Sequence, residues 1–310
     1  MKIVVTGGAG FIGSNIVHAL VKRGDEVIVI DNLFSGKKEN LADVLNEITF
    51  IEGSITDLDL LKQFCKDVDV ILHQAAIPSV PRSISDPLSS NTANIEGSLK
   101  VLLAAKECNV KRVVFAGSSS AYGNTPTLPK TEDMPVNPLS PYALQKVTAE
   151  FYAKQFNKLF NLDTVVLRYF NVFGPLQNKE GGYAAVIPLF ISAILEDKQP
   201  TIFGDGLTSR DFTFVDNVVH ANILAATCKE PLNGEVINIA CGDKISLLEL
   251  VEKINQILGK DIKPILEPSR IGDVKHSMAS IEKAKKLLNF EPQVSFEDGL
   301  RKTIDWYKEN

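Results

Sequence analysis

A glycine-rich segment, Gly7-Gly8-Ala9-Gly10-Phe11-Ile12-Gly13, stands directly between the apolar run Ile3-Val4-Val5 and a helical pattern from Phe11 to Lys22. Gly8, Gly10 and Gly13 have the spacing Gly-x-Gly-x-x-Gly. Glycine is needed where such a turn takes positive φ, where backbone comes close to a pyrophosphate, and where a helix packs tightly on a strand. The helix N-terminus that follows offers free N–H groups and the positive end of its dipole. A glycine-rich turn without a ligand satisfies the same letters. The strand before and the helix after favour dinucleotide binding.

The same alternation continues down the first half of the chain. Glu26–Ile30, Ile48–Ile51, Val68–Leu72, Arg112–Ala116 and Thr164–Arg168 read as strands. Leu58–Cys65, a long Leu88–Glu107 and Tyr142–Phe160 read as helices. The strands are unbroken apolar runs without polar alternation, as in a parallel sheet covered on both faces. The expected fold is α/β, a Rossmann-type doubly wound parallel sheet. After Phe173-Gly174-Pro175 the rhythm changes. Residues 1–173 together with about 211–240 form the expected dinucleotide-binding domain. Residues 174–210 and 241–310 form a smaller mixed α/β C-terminal lobe that caps the strand ends.

The chain has 310 residues, of which 45% are apolar and 23% charged, with a formal net charge of −5. That is ordinary globular usage, and it argues against a nucleic-acid footprint over the whole chain. Cys65, Cys108, Cys228 and Cys241 lack the close spacing of a zinc or redox motif. The four histidines are scattered, so no metal site is expected. His18, His220, Trp306 and Tyr307 read as packing or surface residues. The first apolar run is too short for a signal peptide, and no stretch has membrane-spanning length. A soluble cytoplasmic protein without a membrane partner is expected.

Asp31 ends the second strand and is followed by Asn32-Leu33-Phe34-Ser35-Gly36, with no arginine at once after it. Its carboxylate can accept hydrogen bonds from an adenosine ribose and would repel a 2′-phosphate, which favours NAD over NADP. A solvated strand-end aspartate is the plainer reading, and Lys37 and Lys38 keep the NADP alternative open.

Ser140-Pro141-Tyr142 looks like a helix start, with Ser140 as N-cap and Pro141 in the first turn. Tyr142 and Lys146, four apart, then share one face. A nearby ammonium stabilises a phenolate and brings it toward the range of a working base. Tyr-x-x-x-Lys alone is a weak signal. It gains weight from Ser118-Ser119-Ser120, delivered to a strand's carboxyl end, where ligands of doubly wound sheets sit. A hydroxyl, a phenol and a lysine beside a nicotinamide make a hydride-transfer centre for a secondary alcohol.

Together Thr6–Gly13, Asp31, His73-Gln74-Ala75-Ala76, Ser118-Ser119-Ser120, Tyr142…Lys146 and Arg168-Tyr169-Phe170-Asn171-Val172-Phe173-Gly174-Pro175 resemble an extended short-chain dehydrogenase/reductase. Over essentially the whole length the chain is similar to the nucleotide-sugar 4-epimerases, those acting on UDP-N-acetylglucosamine and UDP-glucose above all. The resemblance implies tightly bound NAD, a UDP-sugar substrate and a homodimer paired through the helices from Leu88 and Tyr142. It makes Tyr142 the base, Lys146 the residue that holds the nicotinamide ribose, and Ser118 the partner of the sugar 4-oxygen.

The resemblance also implies the contacts along the ligands. For the cofactor these are Gly7, Gly10, Phe11, Ile12 and Gly13, then Asp31 and Asn32, then Ser54 and Ile55. Gln74, Ala75, Ala76, Asn91 and Tyr169 complete that set, and His73 is structural. Where the family often has an aspartate for the adenine amine, this chain has Ser54, and Asp57 is an open alternative. For the substrate they are Ser118 and Ser119, then Asn171, Ala185, Val186, Ile202 and Phe203. Arg210 and Arg270 match the pair on the pyrophosphate, in keeping with the fit of guanidinium forks to phosphate oxygens. Asp273 lies in the segment that gates the sugar, and Ser277 is the gate itself, small enough to admit a 2-acetamido group. The implied reaction is 4-epimerisation of UDP-N-acetylglucosamine and UDP-N-acetylgalactosamine, with UDP-glucose and UDP-galactose as further substrates. The rivals are an epimerase confined to UDP-glucose, a sugar-nucleotide 4,6-dehydratase and a non-catalytic NAD-binding regulator. A dehydratase needs an acid where Ser119 and Ser120 stand.

Overall fold

Strand β1 (Lys2–Thr6) runs through the glycine loop into helix α1 (Phe11–Lys22). The computed structural model describes residues 1–178, 185–268 and 275–310. The chain continues with β2 (Glu26–Asp31), β3 (Thr49–Glu52), α2 (Leu58–Phe64), β4 (Val70–His73), α3 (Val80–Ser85) and α4 (Pro87–Asn91). Then come α5 (Ser98–Glu107), β5 (Arg112–Ser118), α6 (Pro141–Phe160), β6 (Asp163–Tyr169) and β7 (Val172–Phe173). The later part holds α7 (Val186–Leu195), β8 (Thr201–Phe203), β9 (Ser209–Arg210), β10 (Thr213–Phe214), α8 (Val215–Thr227) and β11 (Glu235–Ile239). It ends with β12 (Ile245–Ser246), α9 (Leu247–Leu258), β13 (Ile265–Glu267), α10 (Glu282–Leu288) and α11 (Phe296–Glu309).

Seven strands pair in the order β3-β2-β1-β4-β5-β6-β11, every pair parallel. The order reverses between β1 and β4, which opens a crevice beyond their carboxyl ends. Alternate residues of each strand face opposite layers. Val4, Ile28, Ile71, Val113 and Val166 pack with Leu61, Leu102 and Phe156 of α2, α5 and α6. Ile3, Val5, Val29, Leu72 and Val165 pack with Ile16 and Val17 of α1 and with Val218 and Ala221 of α8. Both faces being dry, the strands need no polar alternation, which is why the sequence shows none. Strand β11 returns to this sheet beside β6, with Glu235 opposite Val165. The short pairs β7–β10, β9–β12 and β8–β13 lie outside it.

The helix expected over Leu88–Glu107 is divided. Between α4 and α5 the chain takes a π-helical course at Thr92–Gly97. In that segment Asn94 is buried, with its amide bonded to the Ile77 backbone and to Gln145. The strands expected at 48–51 and 68–72 lie slightly further on, where pairing with β2 and β1 sets their ends. Among the described residues no helix is long and apolar enough to cross a membrane.

Candidate active site

At the end of β1 the chain turns at Gly7, with φ +70°, against the backbone of Ala75. A Cβ there would lie 2.6 Å from the Ala75 Cα, and a Cβ on Gly13 only 2.1 Å from the Gly7 carbonyl oxygen. The loop therefore closes on itself and on the end of β4, leaving the N-terminus of α1 facing the crevice. Asp31 is not a solvated strand end. It is 8% exposed, and its carboxylate accepts the N–H groups of Ala9 at 2.9 Å and Leu33 at 2.8 Å. Burial pushes its carboxyl up, and the two N–H groups pull the other way. His73 is fully enclosed between the Thr6 hydroxyl at 2.7 Å and the Ser98 hydroxyl at 3.0 Å. Burial pushes its imidazole down to about 3, so it is neutral and structural.

Strand β5 delivers Ser118 to the crevice. Its Oγ lies 2.8 Å from Ser120 Oγ and accepts the Ser120 N–H at 3.2 Å. Helix α6 starts as its sequence indicates, with Pro141 in the first turn and the Ser140 hydroxyl accepting the Ala143 N–H at 3.2 Å. This aims Tyr142 and Lys146 at the end of β5. Lys146 Nζ donates to the Ala116 carbonyl at 2.9 Å. Burial pushes this ammonium down to about 8, opposed by the Glu150 carboxylate one turn further on. The Glu150 charge is itself held by Arg168 through Nε at 2.9 Å and Nη2 at 2.6 Å.

The expected depression of the Tyr142 phenol by Lys146 is not what this geometry produces. Burial pushes Tyr142 up, and a hydrogen bond with Ser118 lowers it in part. Both groups lose hydration in the crevice, which penalises the charged form of each.

One cavity of about 1260 Å³ runs the length of the site. It passes from Gly7, Gly10, Phe11, Ile12, Gly13, Asp31 and Asn32, beside Ser54 and Ile55, to Gln74, Ala75 and Ala76. Beyond these lie Ser118, Ser119, Tyr142, Lys146 and Tyr169, then Asn171 and Ala185. A second cavity of about 260 Å³ shares Asn171, Val172 and Ala185 and adds Val186, Arg210 and Phe212. A dinucleotide fits this arrangement. The glycine loop is a cradle that side chains would fill, and a carboxylate stands on the same wall. Among the described residues no cluster of metal-ligating side chains occurs.

Several expected contacts lie elsewhere. Asn91 is exposed on α4 and off the cavity wall, which Thr92 and Ala93 form instead. Asp57 caps α2, accepting the N–H groups of Asp59 at 3.1 Å and Leu60 at 3.0 Å. Ile202 is buried and Phe203 half-buried on β8, which pairs with β13, and neither lines either cavity. Ser277 is 9% exposed, its N–H bonded to the Ser209 carbonyl at 3.1 Å, and it too lies off both walls. Arg270 and Asp273 fall outside the described residues.

Other wall residues were not foreseen. Phe34, Ser35, Gly36 and Lys37 follow Asp31 along the cavity, and Arg82 of α3 stacks its guanidinium 4.3 Å from the Phe34 ring centre. Trp306, Tyr307 and Asn310 also line it, although Trp306 and Tyr307 read from the sequence as packing residues. Gly36 was the available signal for the first group, because a Cβ there would lie 2.8 Å from the Ala9 carbonyl carbon. Next to Arg210, buried Asp211 accepts three backbone N–H groups, from Cys241 at 3.0 Å and from Gly242 and Ala279 at 3.1 Å. It thereby joins the strand of Arg210 to the segment of Ser277.

A parallel sheet with this crevice, glycine loop and Ser-Tyr-Lys group defines an NAD-dependent enzyme of Rossmann type. Residues 3–240 match the model of the NAD dependent epimerase/dehydratase family, and the chain belongs to that family. It is similar to a UDP-N-acetylglucosamine 4-epimerase from Methanobrevibacter ruminantium M1, solved with UDP-N-acetylmuramic acid, at 45% identity and a TM-score of 0.95. That match covers 99% of this chain and 98% of the other. A UDP-glucose 4-epimerase from Thermotoga maritima, solved with UDP-glucose, is 38% identical with a TM-score of 0.94 over 100% and 99% of the two chains. A putative UDP-glucose 4-epimerase from Methanocaldococcus jannaschii is 37% identical over 99% of each chain.

Proposed function

We propose that this protein is a reversible UDP-sugar 4-epimerase. The observation that carries the reading is the make-up of the large cavity. Ser118, Tyr142 and Lys146 stand together on its wall, and among the described residues lining it Asp31, at the cofactor end, has the one carboxylate side chain. A 4,6-dehydratase needs an acid beside the sugar, and the positions next to Ser118 carry Ser119 and Ser120. A non-catalytic NAD sensor has no need of a phenol on the cavity wall beside a serine and a buried lysine.

Gly7, Gly10, Phe11, Ile12, Gly13, Asp31 and Asn32 hold the adenosine and pyrophosphate half of NAD. Ser54 and Ile55 flank the adenine, and Gln74, Ala75, Ala76 and Tyr169 lie along the rest. NAD held there would supply a reversible hydride acceptor for carbon 4 of the sugar. Tyr142 would take the proton from the 4-hydroxyl as phenolate, a form that burial disfavours and the Ser118 hydroxyl favours, and would later give it back. Ser118 hydrogen-bonds the 4-oxygen in both states. Lys146 holds the nicotinamide ribose. Between the two transfers the 4-ketopyranose swings about its pyrophosphate link. No external oxidant or reductant is consumed.

Asn171, Ala185, Val186 and Arg210 hold the UDP moiety where the two cavities meet. Arg270 completes the grip on its pyrophosphate, Ile202 and Phe203 back the uracil pocket, and residues 174–210 and 241–310 form the substrate lobe. The substrates are UDP-N-acetylglucosamine and UDP-N-acetylgalactosamine, with UDP-glucose and UDP-galactose also turned over. The small Ser277 and the likeness to the M. ruminantium enzyme support this choice. Exposed Leu88, Leu144, Phe151 and Leu159 on α4 and α6 support a homodimer through these helices.

Separate incubation with UDP-N-acetylglucosamine and UDP-glucose, followed by product separation, tests the reading. Epimer pairs are expected. A 4-keto-6-deoxy product, steady NADH release or no reaction overturns it.

A further inference from the structure

The first four backbone N–H groups of an α-helix have no partner within it. In α6, Pro141 removes one. The Ser140 hydroxyl takes the Ala143 N–H, and the first intrahelical bond runs from the Leu144 N–H to the Ser140 carbonyl at 3.0 Å. The N–H of Tyr142 remains. Its partner comes from a different element, Ser83 of α3, with Oγ at 3.0 Å. Ser83 is 0% exposed, and its hydroxyl hydrogen is committed to the Val80 carbonyl at 2.7 Å. A lone pair therefore faces Tyr142, and the direction of the bond is settled.

We infer that Ser83 is a positioning residue for Tyr142, fixing the backbone of the catalytic tyrosine against the wall of the site. The inference rests on the reading of Tyr142 as the base. Two more buried contacts join the same regions. Gln145 Nε2 donates to Ser90 Oγ at 3.0 Å, and Asn94 Nδ2 donates to Gln145 Oε1 at 2.8 Å. Those contacts place the side of the helix. Ser83 alone acts on the residue that carries the phenol, and it does so at the helix end, where no intrahelical bond restrains that residue's N–H.

Proton transfer from the 4-hydroxyl needs the phenolate within hydrogen-bond reach, and a misplacement of about 1 Å can cost ~10²-fold. Losing the Ser83 acceptor frees the first turn to shift while Lys146, one turn further on, stays tied to Ala116. The cost should fall on turnover rather than on substrate or cofactor binding.

The test measures epimerisation by the wild type, Ser83→Ala, Tyr142→Phe and the double variant, with NAD content and thermal midpoint taken for each. Ser83→Ala should lower kcat ~10-fold or more, with KM within about twofold and NAD content unchanged. In the Tyr142→Phe background the same change should lower the residual kcat less than about twofold, because the proton acceptor is already gone. Ser83→Cys, which accepts hydrogen bonds weakly, gives a second reading of the same comparison. Wild-type kcat in Ser83→Ala, loss of bound NAD, or an equal drop in both backgrounds overturns the inference. Near-wild-type kcat in Tyr142→Phe instead overturns the assignment of the base, and the inference with it.

Discussion

Lys146 Nζ donates to the carbonyl oxygen of Ala116 at 2.9 Å, which ties the helix carrying the phenol to the strand carrying Ser118. The bond crosses the floor of the crevice and spans two elements that are 30 residues apart in sequence at their contact. It sets the distance between base and serine by covalent geometry on each side. Burial weakens the charged form of Lys146, and the Glu150 carboxylate opposes that shift.

Tyr142→Phe keeps the ring and removes the ionisable oxygen. Turnover should fall at least ~10²-fold, the scale of general acid–base catalysis, while the purified variant still carries NAD. Product formation at saturating UDP-sugar, with NAD assayed after denaturation, checks both halves.

Asp31→Ala removes the acceptor of the Ala9 and Leu33 N–H groups and the carboxylate that faces the cavity. Hydrogen bonds to a charged group are worth ~1.5–3 kcal/mol, so NAD should bind ~10- to 100-fold more weakly. Titration of NAD into stripped protein reads this directly. Undiminished affinity would remove Asp31 from the cofactor site.

His73 gives the protein an acid sensitivity. Its folded-state imidazole is pushed from its ordinary 6.5 down to about 3. Between those values the unfolded chain binds a proton that the folded protein does not, so stability falls as pH drops from 6.5 toward 3. His73→Asn lacks that loss. Its stability deficit against the wild type should narrow between pH ~7.5 and ~5 in denaturant titrations. A deficit independent of pH would show that His73 is not held neutral.

Ser277→Tyr tests the sugar gate. Turnover of the acetamido sugars should fall sharply, by at least the ~1–3 kcal/mol typical of one pocket contact, while UDP-glucose is spared. The assignment of the gate is lost if both sugar classes are processed unchanged. The 4-epimerase reading would survive that result.

Sequence periodicity was sufficient for the parallel sheet, because strands buried on both faces must be apolar throughout. It also placed the glycine loop, Asp31, Ser118 and the α6 start, since each depends on local rules of turns, strand ends and helix caps. Asn91 stands exposed at the end of α4, and the cavity wall is reached by Thr92 and Ala93 of the π-helical segment that follows. Its neighbour Asn94 is the buried asparagine.

What the residues alone determined was the class of fold and the residue types of the central group, both written in short-range patterns. What only the tertiary structure decided was which distant segments meet there. Ser83 reaches the Tyr142 backbone, Asp211 joins two strands to the segment of Ser277, and the C-terminal helix brings Trp306 and Tyr307 to the cavity wall. The tertiary structure also settled the balance of charge. A lysine four residues from a tyrosine suggests a lowered phenol, but desolvation depends on the whole enclosing wall, and here it dominates both groups.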